Sequence, residues 1–528
     1  MSKKLISVLL ALVMAISVVM FAVSCNPSTE KETTTTKEDA VDTTTTTATT
    51  TTTTATTKEE TTETTEEQTT EEITTELTGK EKMPGHEDVD FGGLTFLIAS
   101  NDNGAGDDDW DDASEWWVES ITNNAVNDAV HDRNGVMEKL YNCKIEVDAG
   151  GWANGFSADI ASGGGKYIGG TMLVNRKNQA SSSYYNLLKL DFNFDEEWWN
   201  HDYIDCFSYN GKLFTMAGDW SWHMMNATWI IYFNKDVYES KFAGIDIYQL
   251  VRDKKWTWDV MLDMMEQIKN DVNGDSAYTF SDGADADIVG MVTSEQTIQG
   301  WYYSAGLNTT TKSSSDYKTS TYVVSMVDDR NTDVVNKMIN LVNSESYIQT
   351  GYSNVPVALK NKTTLFGGEV LDVLRRMSNA EDLRVGVLPM PLYEEGQSRY
   401  YCYSQPRGIS ILVVPTAYKN LDVISQFYTL FAYHSSKLVY PAYLNTYKYS
   451  YTSDEESAEI VDLILNSVSF DFSNITELQG CRDFLGYLAT IMSTKKNQVV
   501  NAANRFSSTL TGSLKDYTDK VDSIDDNY

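Results

Sequence analysis

Ala227-Thr-Trp-Ile-Ile-Tyr-Phe-Asn234 is the run from which the fold is read. It is dominated by β-branched and aromatic residues and holds no breaker, so it predicts a strand. Upstream, Leu94-Thr-Phe-Leu-Ile-Ala-Ser100 and Lys144-Ile-Glu-Val-Asp148 read as strands, as does Tyr167 to Val174 after the turn Ser162-Gly-Gly-Gly-Lys166. Between the first two, Ile121, Ala125, Ala129, Val130, Val136 and Leu140 recur at three- and four-residue spacing, which predicts a helix from about Trp117 to Tyr141. Downstream, Thr257 caps a helix reaching about Asn270, and Asp382–Pro389 and Gly408–Pro415 are strands stopped by proline. Helices follow at about 420–435, 453–467 and 475–493. Strands alternating with helices predict an α/β protein with mostly parallel sheets covered on both faces.

The 528 residues carry 76 acidic and 41 basic side chains, a net charge of −35. Nucleic acid is excluded as a partner, because phosphate binding needs clustered Lys and Arg. The first 79 residues hold 13 of the acidic and 5 of the basic groups, so −27 belongs to the remainder. Lys3 and Lys4 precede an apolar run from Leu5 to Val23, an export signal over 1–24. Its end, Ala22-Val23-Ser24-Cys25, resembles a bacterial lipobox, which implies cleavage before Cys25 and a lipid anchor on that thiol at the outer face of the cell membrane. From there to residue 79 roughly half the residues are Thr, a composition too poor in apolar surface to fold, and it reads as a disordered tether. The body, 80–528, keeps Cys143, Cys206, Cys402 and Cys481, whose spacing leaves disulfides and buried thiols both open.

Several motifs occur in order along the body. Asn127-Asp-Ala-Val-His-Asp-Arg-Asn134, Gly211-Lys-Leu-Phe, Gly218-Asp, Tyr232-Phe-Asn-Lys235 and Lys255-Trp-Thr-Trp-Asp259 come first. Gly386-Val-Leu-Pro-Met-Pro391, Pro441-Ala-Tyr443 and Asp454-Glu-Glu-Ser457 follow. Together they resemble extracellular solute-binding lipoproteins of ABC importers, of the maltose-binding-protein-like, family 1 type. The resemblance implies a two-lobed periplasmic-binding-protein-like type II fold, with lobes joined by crossing strands and a ligand enclosed between them. It also implies ABC permease subunits as partners, and a monomer. Combined with the strand pattern, it divides the body into a first lobe of about 86–225 plus 359–425 and a second of about 226–358 plus part of the C-terminal helices.

The ligand is argued from side chains. All 12 Trp lie between Trp110 and Trp301. Indole and phenol rings cover the flat apolar faces of sugars, and nearby carboxylates and amides bind hydroxyls. Trp110, Trp116 and Trp117 follow the first strand. Asp219-Trp220-Ser221-Trp222 precedes the crossing strand, and Trp301, Tyr302 and Tyr303 fall where the resemblance implies a second-lobe wall. Glu369 is a weaker polar candidate, with surface exposure as its alternative, and Trp198-Trp199 reads as packing. A carbohydrate is the leading ligand. A surface polysaccharide-adhesion role, a glycoside hydrolase, and a peptide or cationic ligand drawn by Asp107–Asp112 are the alternatives.

Asp271-Val-Asn273-Gly-Asp275, continuing to Asp282, places oxygens at positions 1, 3, 5 and 12 and reads either as a structural calcium loop or as a solvated acidic turn. No cofactor is required. The five histidines show no metal-ligand spacing, there is no G-x-S-x-G elbow, and Tyr167 replaces the Ser or Thr of a phosphate loop, so no enzyme is expected.

Overall fold

The computed structural model describes residues 79–101, 113–121, 124–173, 180–378, 380, 382–452 and 454–525. The export signal, the Thr-rich segment up to residue 78 with Cys25, and Trp110 with the acidic loop 107–112 lie outside these residues.

Two sheets organise the body. The first has the lateral order Ser410–Val413, Tyr167–Leu173, Leu94–Ala99, Cys143–Asp148. Its last three strands are parallel, in register from Leu94 opposite Cys143 to Ala99 opposite Asp148, and Ser410–Val413 joins antiparallel. The second has the order Val385–Pro389, Trp229–Asn234, Thr364–Val370, Val289–Ser294, Tyr347–Thr350. Trp229–Asn234 is antiparallel to both neighbours, and the remaining pairs are parallel. Every residue of Trp229–Asn234 is buried, which explains why its sequence is an unbroken apolar run rather than an alternation.

The return to the first lobe comes later than the sequence reading placed it. Thr364–Val370 and Val385–Pro389 flank Trp229–Asn234 in the second sheet, and the chain rejoins the first sheet only at Ser410. It passes between the sheets three times: at Ala227–Thr228, through Cys402–Ile409, and along a helical run from Leu421 to Tyr451. That run packs on the helix Ala125–Tyr141 of the first lobe and, at its far end, on the helix Glu455–Leu465 of the second. It contains two wider π-helical turns, Ser435–Val439 and Thr446–Tyr451, a feature that marks many functional sites.

The helix predicted from Trp117 begins at Ala125, because Asn124 caps it: its Oδ1 accepts from the amides of Val126 and Asn127. Its buried face is Val126, Val130, Arg133, Asn134, Met137 and Tyr141, rotated by about one residue from the predicted stripe, and Ile121 is exposed. Thr257 caps its helix as predicted, accepting from the Val260 amide, although that helix ends at Glu266. The sequence reading missed Val499–Asp522, which packs on Gln479–Thr494 and on Asp329–Val342. Gly480 permits the first of these contacts, since a Cβ there would strike the backbone of Phe506 and Leu510.

The motifs behind the resemblance dock on one another. Trp256 and Trp258 donate their indole N–H groups to the carbonyls of Pro389 (3.0 Å) and Pro391 (3.1 Å). Lys235 is paired with Asp454, the N-cap of Glu455–Leu465. All four body cysteines are free thiols. No helix among the described residues is long and apolar enough to cross a membrane.

Candidate ligand-binding cleft

The parallel strands of the first sheet end at Ala99, Asp148 and Leu173, and those of the second at Ser294, Thr350 and Val370. In open α/β sheets ligands lie beyond such carboxyl ends. A cavity of about 280 Å³ sits there, walled by segments that follow these ends and by the crossings themselves. Ser114, Asn124, Val126 and Asn127 come from the first lobe, and Asp372 and Arg375 follow Val370. Trp222 and Asn226 lie on the first crossing, and Tyr443, Thr446, Tyr447 and Tyr451 on the helical one. Two cavities of similar size lie elsewhere, one between the last helices (Thr476–Gln479 against Ser513–Lys520), the other beside Asp202, Lys312, Arg399 and Phe472.

The aromatic wall is continuous. Trp222 lies 6.1 Å from Tyr443, Tyr443 4.7 Å from Tyr447, and Tyr447 5.1 Å from Tyr451, centroid to centroid. The tyrosines recur every four residues, which keeps them on one face of the helical run. The hydroxyls of Tyr443 (3.0 Å) and Tyr447 (2.7 Å) both donate to Asn226 Oδ1, fixing their rings. The indole N–H of Trp222 is buried without a partner. Arg375 is held by Asp372, whose carboxylate also engages Arg376.

Behind the first-lobe wall lies a buried charged cluster. Glu115 accepts from the His223 backbone amide (2.8 Å) and from the Ser410 hydroxyl (2.5 Å), joining the loop after the first strand to the crossing and to the returning strand. Arg133 donates to the carbonyls of Glu115 (3.1 Å) and Trp116 (2.9 Å) and stacks on Phe431. Burial pushes its guanidinium down to about 9, against the opposing pull of Glu115.

Of the expected binding residues, Trp222 alone reaches this cavity. Trp116 and Trp220 are core, the former stacked on Phe431 at 4.8 Å. Trp117 is exposed beside them. Trp301 donates to the Tyr347 hydroxyl (3.1 Å) and packs edge-on against Trp258, Tyr302 donates to Asn331 (2.6 Å), and Tyr303 stacks on Tyr403. All three are buried in the second lobe, so this cluster is packing rather than wall. Asp219 lies off the cavity; burial, and then Glu197, push its carboxyl up to about 8 against the influence of Lys437. Glu369 is buried in its strand, not exposed. Its Oε1 has no partner, and burial pushes its carboxyl up to about 7. Trp198 and Trp199 pack as read, Trp198 edge-on against Tyr433. The wall residues that went unread are mainly Asn226, Asp372, Arg375, Tyr447 and Tyr451. The four-residue spacing of Tyr443, Tyr447 and Tyr451 was the signal available for the tyrosines.

In the acidic loop, Asp271 accepts from the amides of Gly274 and Ser276, Asn273 from Asp275, and Asp275 from Ala277. Asp287, rather than Asp282, closes it, accepting from Val272 and Thr279. Among the described residues no group of three or more His, Cys, Asp or Glu side chains is placed to hold a metal ion, so Asp271, Asp275 and Asp282 are not gathered into a cation site.

No protein-family model and no curated protein matches the chain. Among solved structures it is similar to UspC of M. tuberculosis, with a TM-score of 0.51 at 12% identity, covering 79% of this chain and 100% of that one. It is also similar to the maltose-bound MalE3 of T. maritima, with a TM-score of 0.46 at 10% identity, covering 80% and 100%. The protein has a two-lobed, periplasmic-binding-protein-like type II α/β fold.

Proposed function

We propose that the protein is a solute-binding protein, not an enzyme, that captures a carbohydrate between its lobes for delivery to an ABC permease. In this reading the chain is exported, anchored through lipid on Cys25 and held off the membrane by the Thr-rich tether. The observation that carries it is the aromatic wall of Trp222, Tyr443, Tyr447 and Tyr451 along a cavity bounded by both lobes and two crossings. Indole and phenol faces match the C–H faces of sugar rings, and the surrounding amides and hydroxyls match their oxygens.

A thermal-shift screen of sugars, oligosaccharides and peptides tests the ligand, because a compound that binds only the native state raises its midpoint. Small-angle scattering tests the transport role: a bound oligosaccharide contracts the particle as the lobes close. Binding with no change in scattering shape moves the protein to the adhesion role. A midpoint raised by peptides and by no sugar sinks the carbohydrate reading.

A further inference from the structure

The polar groups of this cavity are unevenly divided. Asn226 is only 4% exposed. Its Oδ1 is taken by two tyrosine hydroxyls, while its side-chain NH2 has no partner and lies on the cavity wall. Among the described residues Arg375 is the one cation on the wall, 36% exposed and held at Nε by Asp372 Oδ1 (3.1 Å). Among the same residues Asp372 is the one carboxylate there; it is fully buried and engages both Arg375 and Arg376. The protons of Tyr443, Tyr447 and Thr446 are committed inside the protein, the last to the Ala442 carbonyl (2.7 Å). Opposite, Asn124 and Asn127 bring the positive end of the 17-residue helix Ala125–Tyr141 to the same space.

A neutral sugar presents hydroxyls that donate as well as accept, and the Asp372 carboxylate and Asn226 oxygen that could receive those protons are already engaged by arginines and tyrosines. A carboxylate accepts only, and it meets an unpartnered amide NH2 and a guanidinium. We propose, building on the carbohydrate reading above, that the ligand is an acidic carbohydrate. Its carboxylate sits between Asn226 and Arg375, and its ring lies against Trp222 and Tyr443. The body carries −27, so this one cationic patch in the cleft selects the acidic sugar locally against the repulsion of the whole molecule.

The test is calorimetric titration of the full chain with oligomers of galacturonic, glucuronic and mannuronic acid, each beside its neutral counterpart. At least one acidic oligomer binds at least about tenfold tighter than its neutral partner. Asn226→Asp keeps the oxygen that Tyr443 and Tyr447 need and replaces the donor by an acceptor. It therefore weakens the acidic oligomer by about ten- to a hundredfold, read on the folded fraction because the buried carboxylate also lowers the thermal midpoint. Arg375→Gln does the same to affinity. If the neutral oligomers bind as tightly, or Asn226→Asp leaves acidic binding intact, the acidic assignment falls and the carbohydrate reading stands. If no oligomer of either kind binds while small non-sugar carboxylates or phosphate do, the carbohydrate reading itself falls.

Discussion

The second-lobe cluster of Trp258, Trp301, Tyr302 and Tyr303 and the cleft wall of Trp222, Tyr443, Tyr447 and Tyr451 are equally rich in rings, yet they are built differently. In the cluster, Trp258 donates to Ser304 and Pro391, Trp301 to Tyr347 and Tyr302 to Asn331. The rings meet mostly edge-on in the interior. On the wall, the Trp222 N–H is unpartnered and two tyrosines converge on a single amide whose own donor is open. Ring density therefore says little about binding. An open polar edge does not by itself mark a site either, since the Tyr303 hydroxyl and the Trp116, Trp198 and Trp229 indole N–H groups are buried in the core without partners. What sets the wall apart is that its rings line a cavity between the lobes, beside an amide whose oxygen is shared by two of them.

Four substitutions bear on this division. Trp301→Ala deletes a fully buried indole and lowers unfolding free energy by about 3–5 kcal/mol in denaturant titrations, leaving ligand preference unaltered in the folded fraction. A variant that instead kept its stability and lost ligand would erase the division. Glu369 belongs to the second-lobe core but, like the wall, has an open oxygen. Its folded carboxyl titrates near 7 against an ordinary 4.5, so the native state holds its proton longer than the unfolded chain. Stability is thus full below about pH 4.5 and declines as pH rises through 7. Glu369→Gln removes that decline: the variant gains on the order of 1–3 kcal/mol at alkaline pH and matches the parent under acid, as thermal melts across pH will show. Trp222→Ala weakens ligand binding by about 1–2 kcal/mol through lost ring contact. Its melting temperature shifts less than that of Trp301→Ala, and a larger stability loss would make Trp222 core as well. Trp117→Ala, at an exposed ring off the cavity, changes stability by less than about 0.5 kcal/mol and binding not at all.

Much of the fold was legible because burial leaves a local record. Trp229–Asn234 reads as a strand since both its faces are covered, and Asn124 and Thr257 act as caps within two or three residues of their partners. The site was less legible because its residues come from far apart. Asn226 meets Tyr443 and Tyr447 across more than two hundred positions, and Arg375 reaches the cavity through a turn after a strand that was assigned to the other lobe. Tryptophan content is a poor guide to the site, since Trp116, Trp220 and Trp301 are large enough to anchor cores in their own right. Helix phase failed for a related reason: Arg133 and Asn134 face inward, held by the carbonyls of Glu115 and Trp116, so charge and amide lie on a face that pattern reserves for apolar residues.

Trp222 and Asn226 sit within a few residues of the first crossing, and Tyr443 to Tyr451 lie on another. Points close to a hinge axis travel little when the bodies on either side swing. In the proposed solute-binding role, the aromatic wall and the Asn226 amide would therefore stand assembled while the lobes are apart. A ligand would be received first and enclosed afterwards, its association rate set by diffusion into a standing site and its escape by the swing of the lobes.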